Sequence, residues 1–131
     1  MPTSAPFILV ADDNADIRLL NWEVLTKAGY CVDTAEDGAA AWDALQAKSY
    51  DLLVTDNDMP RITGFDLIKK MRMAGMMLPV IFVSGTTPTE ALEGRSGLRI
   101  TARLPKPYAI ADLLKLVEGI LGAAVGTLQH A

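Results

Sequence analysis

The apolar positions of the chain fall into two alternating kinds of segment. "FILVA" (7–11), "DLLVTD" (51–56) and "LPVIFVS" (78–84) are short, β-branched and nearly continuous in hydrophobicity, the pattern of strands buried on both faces of a parallel sheet. "YCVDTA" (30–35) alternates more, as an edge strand does, and "RITARL" (99–104) is a more polar fifth candidate. Between these runs the period changes to that of a helix. Over 109–124, Ile110, Leu113, Leu114, Val117, Ile120 and Leu121 follow the i, i+3, i+4, i+7 spacing. Over 15–28 a stripe of Ile17, Leu20, Val24 and Ala28 runs up to Gly29, a helix stop. "DGAAAWDALQAK" (37–48) opens on a capping Asp and is rich in Ala, and Phe65, Ile68 and Met71 form a stripe after Gly64. A fourth helix falls in 89–98. Because glycine costs about 1 kcal/mol against alanine inside a helix, Gly94 and Gly97 predict it to be short or frayed. Five strands alternating with helices predict an α/β fold, a doubly wound five-stranded parallel sheet with right-handed connections and helices on both faces.

Length and composition narrow this to one domain. The 131 residues, half of them apolar, suffice for one hydrophobic core. A formal charge of −4 without a Lys/Arg cluster argues against nucleic acid as a partner. Cys31 is the only cysteine, which excludes an intramolecular disulfide and a thiolate metal site and fits a reducing, cytoplasmic setting. The start "MPTSAPFILVADD" has no basic n-region, and no apolar run reaches the length of a membrane span, so no membrane association is expected.

Charge placement says more than charge total. Strand one runs into Asp12 and Asp13, strand three ends at Asp56, strand four at Ser84, and Lys106 follows strand five at once. In a doubly wound sheet all of these project from the carboxyl edge, where ligands bind at the topological switch point. Two unit charges ~4 Å apart interact by roughly 4 kcal/mol at an effective dielectric near 20, so three converging carboxylates call for a counter-charge. Oxygen ligands without His or Cys select a hard cation, and a small carboxylate set that leaves positions to water suits Mg²⁺ better than a full Ca²⁺ cage. A divalent ion, a lysine and a hydroxyl around one aspartate are the parts that phosphoryl transfer needs, with the aspartate as nucleophile.

The motifs "VADDN" (10–14), "VTDNDMPRITG" (54–64), "VSG" (83–85) and "LPKPY" (104–108), in this order and spacing, are those of a known family. Over residues 5–124 the chain resembles the receiver domains of two-component response regulators, with 1–4 and 125–131 as tails. The resemblance implies a flavodoxin-like sheet of strand order 2-1-3-4-5. It makes Asp56 the phosphoacceptor, and Asp12 and Asp13 the acidic pair that holds Mg²⁺ with Asp56 and the backbone carbonyl of Asp58. Ser84 would hydrogen-bond the phosphoryl group, Lys106 would pair with it, and the bond before Pro107 would be cis. The implied partners are a sensor histidine kinase or a His-containing phosphotransfer protein upstream. Downstream, a target protein would be bound through the face of helix four, strand five and helix five. The protein would be a signalling switch and not an enzyme.

Two positions depart from the family's pattern. Arg103 stands where an aromatic residue usually switches inward, and a guanidinium there is expected to lie over the surface with its charge in water. Activation would then reposition residues 86–103. Gly85 replaces a frequent Ala and should be tolerated. Met59, Pro60 and Gly64 read as turn-shaping residues, Met76 and Met77 as loop or core filler, and His130 as a solvated tail residue. Two rival readings remain: a receiver-like binding module that works without phosphorylation, and a haloacid-dehalogenase-like phosphatase using "DND" at 56–58. The short tail after helix five suggests a stand-alone receiver, or a domain excised from a larger regulator or hybrid kinase.

Overall fold

The computed structural model describes residues 5–85 and 98–122. Five strands, β1 (Phe7–Ala11), β2 (Cys31–Ala35), β3 (Leu52–Asp56), β4 (Val80–Ser84) and β5 (Ala102–Pro105), alternate with four described helices. These are α1 (Ala15–Lys27), α2 (Gly38–Ala47), α3 (Gly64–Met73) and α4 (Ile110–Leu121). All strand pairs are parallel and the order is β2-β1-β3-β4-β5. The predicted doubly wound sheet is therefore present, with the alternating strand β2 at one edge. The helix expected at 89–98 lies outside the described residues apart from Leu98, as does His130, so the C-terminal helix expected as the fifth is α4 here.

The two-residue period of a strand sends successive side chains to opposite faces, and the continuous apolar runs fill both. Leu9, Leu53, Val80 and Phe82 pack with Ala41, Leu45, Leu67, Ile68 and Met71 beneath α2 and α3. Ile8, Val10, Leu52, Val54, Ile81 and Val83 pack with Leu25, Leu113 and Val117 beneath α1 and α4. The stripes predicted for α3 and α4 are the ones that face these cores. Helix ends follow local chemistry. Asn14, Asp37 and Thr63 each accept a hydrogen bond from the backbone N–H three residues on, capping α1, α2 and α3. Past α1 the chain turns at Gly29, whose φ of 104° is costly for any residue with a side chain.

Two expectations need correction. The inward face of α1 is centred on Asn21 and Leu25, while Leu20 is exposed and Ile17 and Val24 are half-buried. Apolar residues surround this helix, so their spacing left its phase open, and the Asn21 amide turns inward to hydrogen-bond the Tyr108 hydroxyl at 3.1 Å. Strands four and five also start later than expected. Residues 78 and 99 are held instead by Arg72 of α3, whose guanidinium donates to the carbonyls of Leu98 (2.6 Å), Met76 (2.8 Å), Leu78 (2.9 Å) and Arg99 (3.0 Å). Those carbonyls are turned to the arginine rather than to a strand ladder.

Candidate functional site

The alternation that builds the core also builds the site. Asp12 and Asp56 lie two residues beyond Val10 and Val54, and Lys106 two beyond Leu104, each continuing the row that faces α1 and α4. Because β1 and β3 are neighbours at the centre of the sheet, their last carboxylates meet. Carboxylate oxygens of Asp12, Asp13 and Asp56 lie within 4.8 Å of one another. Asp12 and Asp56 are buried and Asp13 is exposed. Lys106 reaches across from the end of β5 and places Nζ 2.7 Å from Asp56 Oδ1. It stands 3.9 Å from Oδ2 of the exposed Asp58. Ser84 ends β4 in register with Pro105, and its carbonyl accepts the Lys106 backbone N–H at 3.1 Å. The Lys106–Pro107 peptide is cis, as the resemblance implied.

Backbone contacts hold these groups. Asp12 Oδ1 accepts the Asn14 N–H at 2.9 Å, and the Asp12 carbonyl accepts Nη1 of Arg18 at 2.8 Å. Asn14, and not the Asp pair, caps α1, which leaves the carboxylates of Asp12 and Asp13 to the cluster. After Asp56 the chain folds back at once. The Asn57 carbonyl accepts from Met59 and Gly64, and the Asn57 side chain accepts from Phe65 at 3.0 Å. A Cβ on Gly64 would overlap the Asp56 carbonyl oxygen, so the loop can lie this close to the site only with glycine there.

The electrostatics match a cation site. Burial, with the neighbouring charges of Asp12 and Asp58, pushes the Asp56 carboxyl above its ordinary range against the pull of Lys106. Burial and Asp13 raise Asp12 likewise, against the Asn14 hydrogen bond and Lys106. Burial works against the Lys106 ammonium, yet pairing with Asp56, reinforced by Asp12 and Asp58, outweighs it and raises that pKa too. One lysine serves several carboxylates, and buried Asp56 Oδ2 has no hydrogen-bond partner among the described residues. An all-oxygen donor set of this kind fits a hard divalent cation such as Mg²⁺, held by Asp12, Asp13 and Asp56.

Arg103 lies apart from this cluster. It is half-buried on β5 in register with Phe82, and with Asp112, Lys115 and Leu116 it lines a groove beside α4. Its Nε is buried while the side chain as a whole stays half-exposed, so the arginine lies along the β5–α4 surface. Two neighbours of the site were not anticipated. The Asn21–Tyr108 pair ties α1 to the loop that carries Lys106. Arg18 was unmarked because it meets a backbone carbonyl, which leaves no residue pattern; a lone amide within an apolar helical run was the available signal for Asn21.

A family model described as the response regulator receiver domain matches residues 8–118. The chain is 32% identical to the response regulator receiver protein CpdR of Brucella abortus over 89% of its own length and 98% of that protein. It is 36% identical to the DNA-binding transcriptional regulator NtrC of Rhizobium meliloti over 90% of its own length but only 24% of that protein. Among solved structures, chemotaxis protein CheY4 of Vibrio cholerae superposes with a TM-score of 0.82 at 31% identity, covering 90% of this chain and all of that one.

Proposed function

The chain belongs to the response regulator receiver domain family, the signalling domain of two-component systems, and from that membership we propose that it is a phosphorylation-driven switch whose phosphoacceptor is Asp56. The observation that carries this reading is the Asp56 carboxylate itself. It is buried, its Oδ1 meets Lys106 at 2.7 Å, and its Oδ2 is left without a hydrogen bond among the described residues beside Asp12 and Asp13.

In the proposed reaction a carboxylate oxygen of Asp56 attacks the phosphorus of a phosphohistidine on a sensor histidine kinase or a His-containing phosphotransfer protein. The bond from phosphorus to the donor imidazole nitrogen breaks, and the nitrogen keeps the electron pair. Asp12, Asp13, Asp56 and the Asp58 carbonyl hold Mg²⁺, which supplies charge neutralisation at the phosphoryl oxygens when bound. The Lys106 ammonium, already at the carboxylate, moves to a phosphoryl oxygen, and the Ser84 hydroxyl donates to another. Both are tethered, since the Lys106 backbone N–H bonds the Ser84 carbonyl, so drawing either inward pulls on the ends of β4 and β5. The output is a population shift on the face expected for helix four, which lies outside the described residues, together with β5 and α4, where a downstream protein binds and Arg103 stands in place of an aromatic switch. We assign residues 5–124 to the receiver unit, place it in the cytoplasm, and give it neither nucleic acid nor membrane as a partner and no turnover of free substrates. No helix among the described residues is long and apolar enough to cross a membrane.

Intact mass after incubation with acetyl phosphate tests the reading. Wild type should gain one phosphoryl group only with Mg²⁺ present, and Asp56→Asn should gain none. A gain indifferent to Asp56, or none in wild type, would leave a receiver-shaped binding module that works without phosphorylation.

A further inference from the structure

The Asp58 carbonyl belongs to a loop, residues 57–63, that closes the site from one side. Hydrogen bonds within the loop and to its flanks shape it: Asn57 N–H to the Val83 carbonyl, Met59 and Gly64 N–H to the Asn57 carbonyl, and Ile62 N–H to the Pro60 carbonyl. They fix the loop's internal shape, so that a displacement of its far limb, residues 61–62, is carried along the loop to Asp58. That limb leans on the start of α2. Gly38, the first residue of α2, is buried, and a Cβ built there would overlap the Ile62 carbonyl oxygen and come within 2.6 Å of the Ile62 Cβ. The obstructing atoms belong to the backbone and its first side-chain carbon, so no rotamer change relieves them. Next to it, Asp37 caps α2 by accepting the Ala40 N–H at 2.7 Å and keeps its other oxygen 3.9 Å from Arg61 Nη1. Arg61 itself sits at a φ of 70°, a left-handed conformation uncommon for a residue with a side chain. The far limb is thus held in an unusual conformation against a helix end that takes no other part in the site.

We propose that the α2 N-terminus, through Gly38, is a positioning element for the metal-binding loop: the absent side chain at residue 38 lets the Ile62 backbone settle, and this sets where the Asp58 carbonyl lies relative to Asp12 and Asp56. The inference rests on the receiver reading above. Gly38 is a positioning residue, since it touches neither the carboxylates nor a substrate. Residues one step removed from a metal's ligands commonly change affinity by about 10–100-fold when replaced, and a site must be held to within about 0.5 Å to work. An added methyl that displaces the loop backbone exceeds that tolerance.

The test is Mg²⁺ affinity of the full chain, followed by titration calorimetry with MgCl₂ alone, beside thermal stability. Wild type should bind Mg²⁺, and Asp56→Asn should weaken that binding. Gly38→Ala should weaken it by about tenfold or more. Leu45→Ala, which opens a cavity in the buried face of the same helix, should lower the melting temperature and leave Mg²⁺ affinity as in wild type. If Gly38→Ala does not fold, Ile62→Gly loosens the same contact from the loop side and should also weaken Mg²⁺ binding. Wild-type affinity in Gly38→Ala or Ile62→Gly overturns the proposal, as does an equal loss in Leu45→Ala, which would make the effect one of general stability. Absence of Mg²⁺ binding in wild type would instead overturn the receiver reading, and this proposal with it.

Discussion

The two ends of the sheet treat charge in opposite ways. At the amino end, Arg72 is enclosed by four backbone carbonyls from Met76, Leu78, Leu98 and Arg99. There too Asp51 accepts the Phe7 N–H at 2.8 Å. Both of these charged groups serve backbone atoms that would otherwise lack partners. At the carboxyl end Asp12, Asp13, Asp56 and Asp58 crowd one lysine, and Asp56 and Asp12 are both pushed toward their neutral forms. A fold optimised for stability alone would not hold this arrangement. The difference teaches that the amino end is a structural clamp, while the carboxyl end stores an electrostatic cost that a bound cation can discharge.

The largest expected effect breaks the clamp. Arg72→Met keeps most of the side-chain volume but removes every donor to the four carbonyls, three of them in part-buried bonds. Unpaired buried acceptors cost roughly 1–3 kcal/mol each and solvent can reach some of these, so a loss of about 2–4 kcal/mol in urea unfolding is expected. Mg²⁺ affinity should not change, because the clamp lies at the opposite end of the strands. A neutral substitution, or one that weakens Mg²⁺ binding, would erase the division between the two ends.

A smaller effect of opposite sign is expected at the carboxyl end. Burial raises the folded pKa of Asp12, so the folded state holds its proton more tightly than the unfolded chain does. Asp12 therefore weakens stability once pH rises above its ordinary value near 3.8, and the penalty is complete above the folded pKa. Asp12→Asn keeps an acceptor for the Asn14 N–H and removes the charge. In metal-free buffer at pH 7 it should raise the melting temperature by a few degrees, and the gain should shrink as pH falls through the folded pKa. Added Mg²⁺ should stabilise wild type more than the variant. A destabilised variant at pH 7 would mean that Lys106 already neutralises the cluster.

These contrasts also explain what could be read from the residues alone. The carboxyl end was legible because a strand's period is fixed. Once 7–11 and 51–56 are strands, Asp12 and Asp56 must share a face and an edge, and the chemistry of that corner follows from residue types. Arg72 was not legible, since its ligands are main-chain carbonyls, which every residue carries, and the starts of β4 and β5 were misplaced with it. The phase of α1 failed for another reason. Leu19, Leu20 and Trp22 are exposed on a helix whose buried residues are Asn21 and Leu25, so hydrophobicity alone does not mark the inside, and the bond from Asn21 to the Tyr108 hydroxyl helps to set which way it turns. Gly38 read simply as the residue after a cap, because the close approach it permits comes from a loop 24 positions later, at Ile62.

The smallest expected effect sharpens the comparison on the β2 edge, away from both ends. Asp33 accepts from Lys48 Nζ at 2.9 Å and from the Tyr50 hydroxyl at 2.7 Å. Burial pulls its pKa upward, but these two hydrogen bonds outweigh it and hold the carboxyl below the usual range. A depressed folded pKa contributes stability that is present above the unfolded value, near 3.8, and is lost as pH falls through the folded one. The sign is thus opposite to that of Asp12, though both residues are aspartates one strand apart. The Lys48–Asp33 pair is well exposed, which limits the contribution to about 0.2–1 kcal/mol. Asp33→Asn should therefore cost no more than this at pH 7 in urea unfolding, and the difference from wild type should close as pH falls through the folded pKa. Raised salt at pH 7 should narrow it as well, because exposed charges are screened. A loss that persists at low pH and high salt would assign the role of Asp33 to shape and hydrogen bonding rather than to charge, leaving the charge contrast to the two ends of the sheet alone.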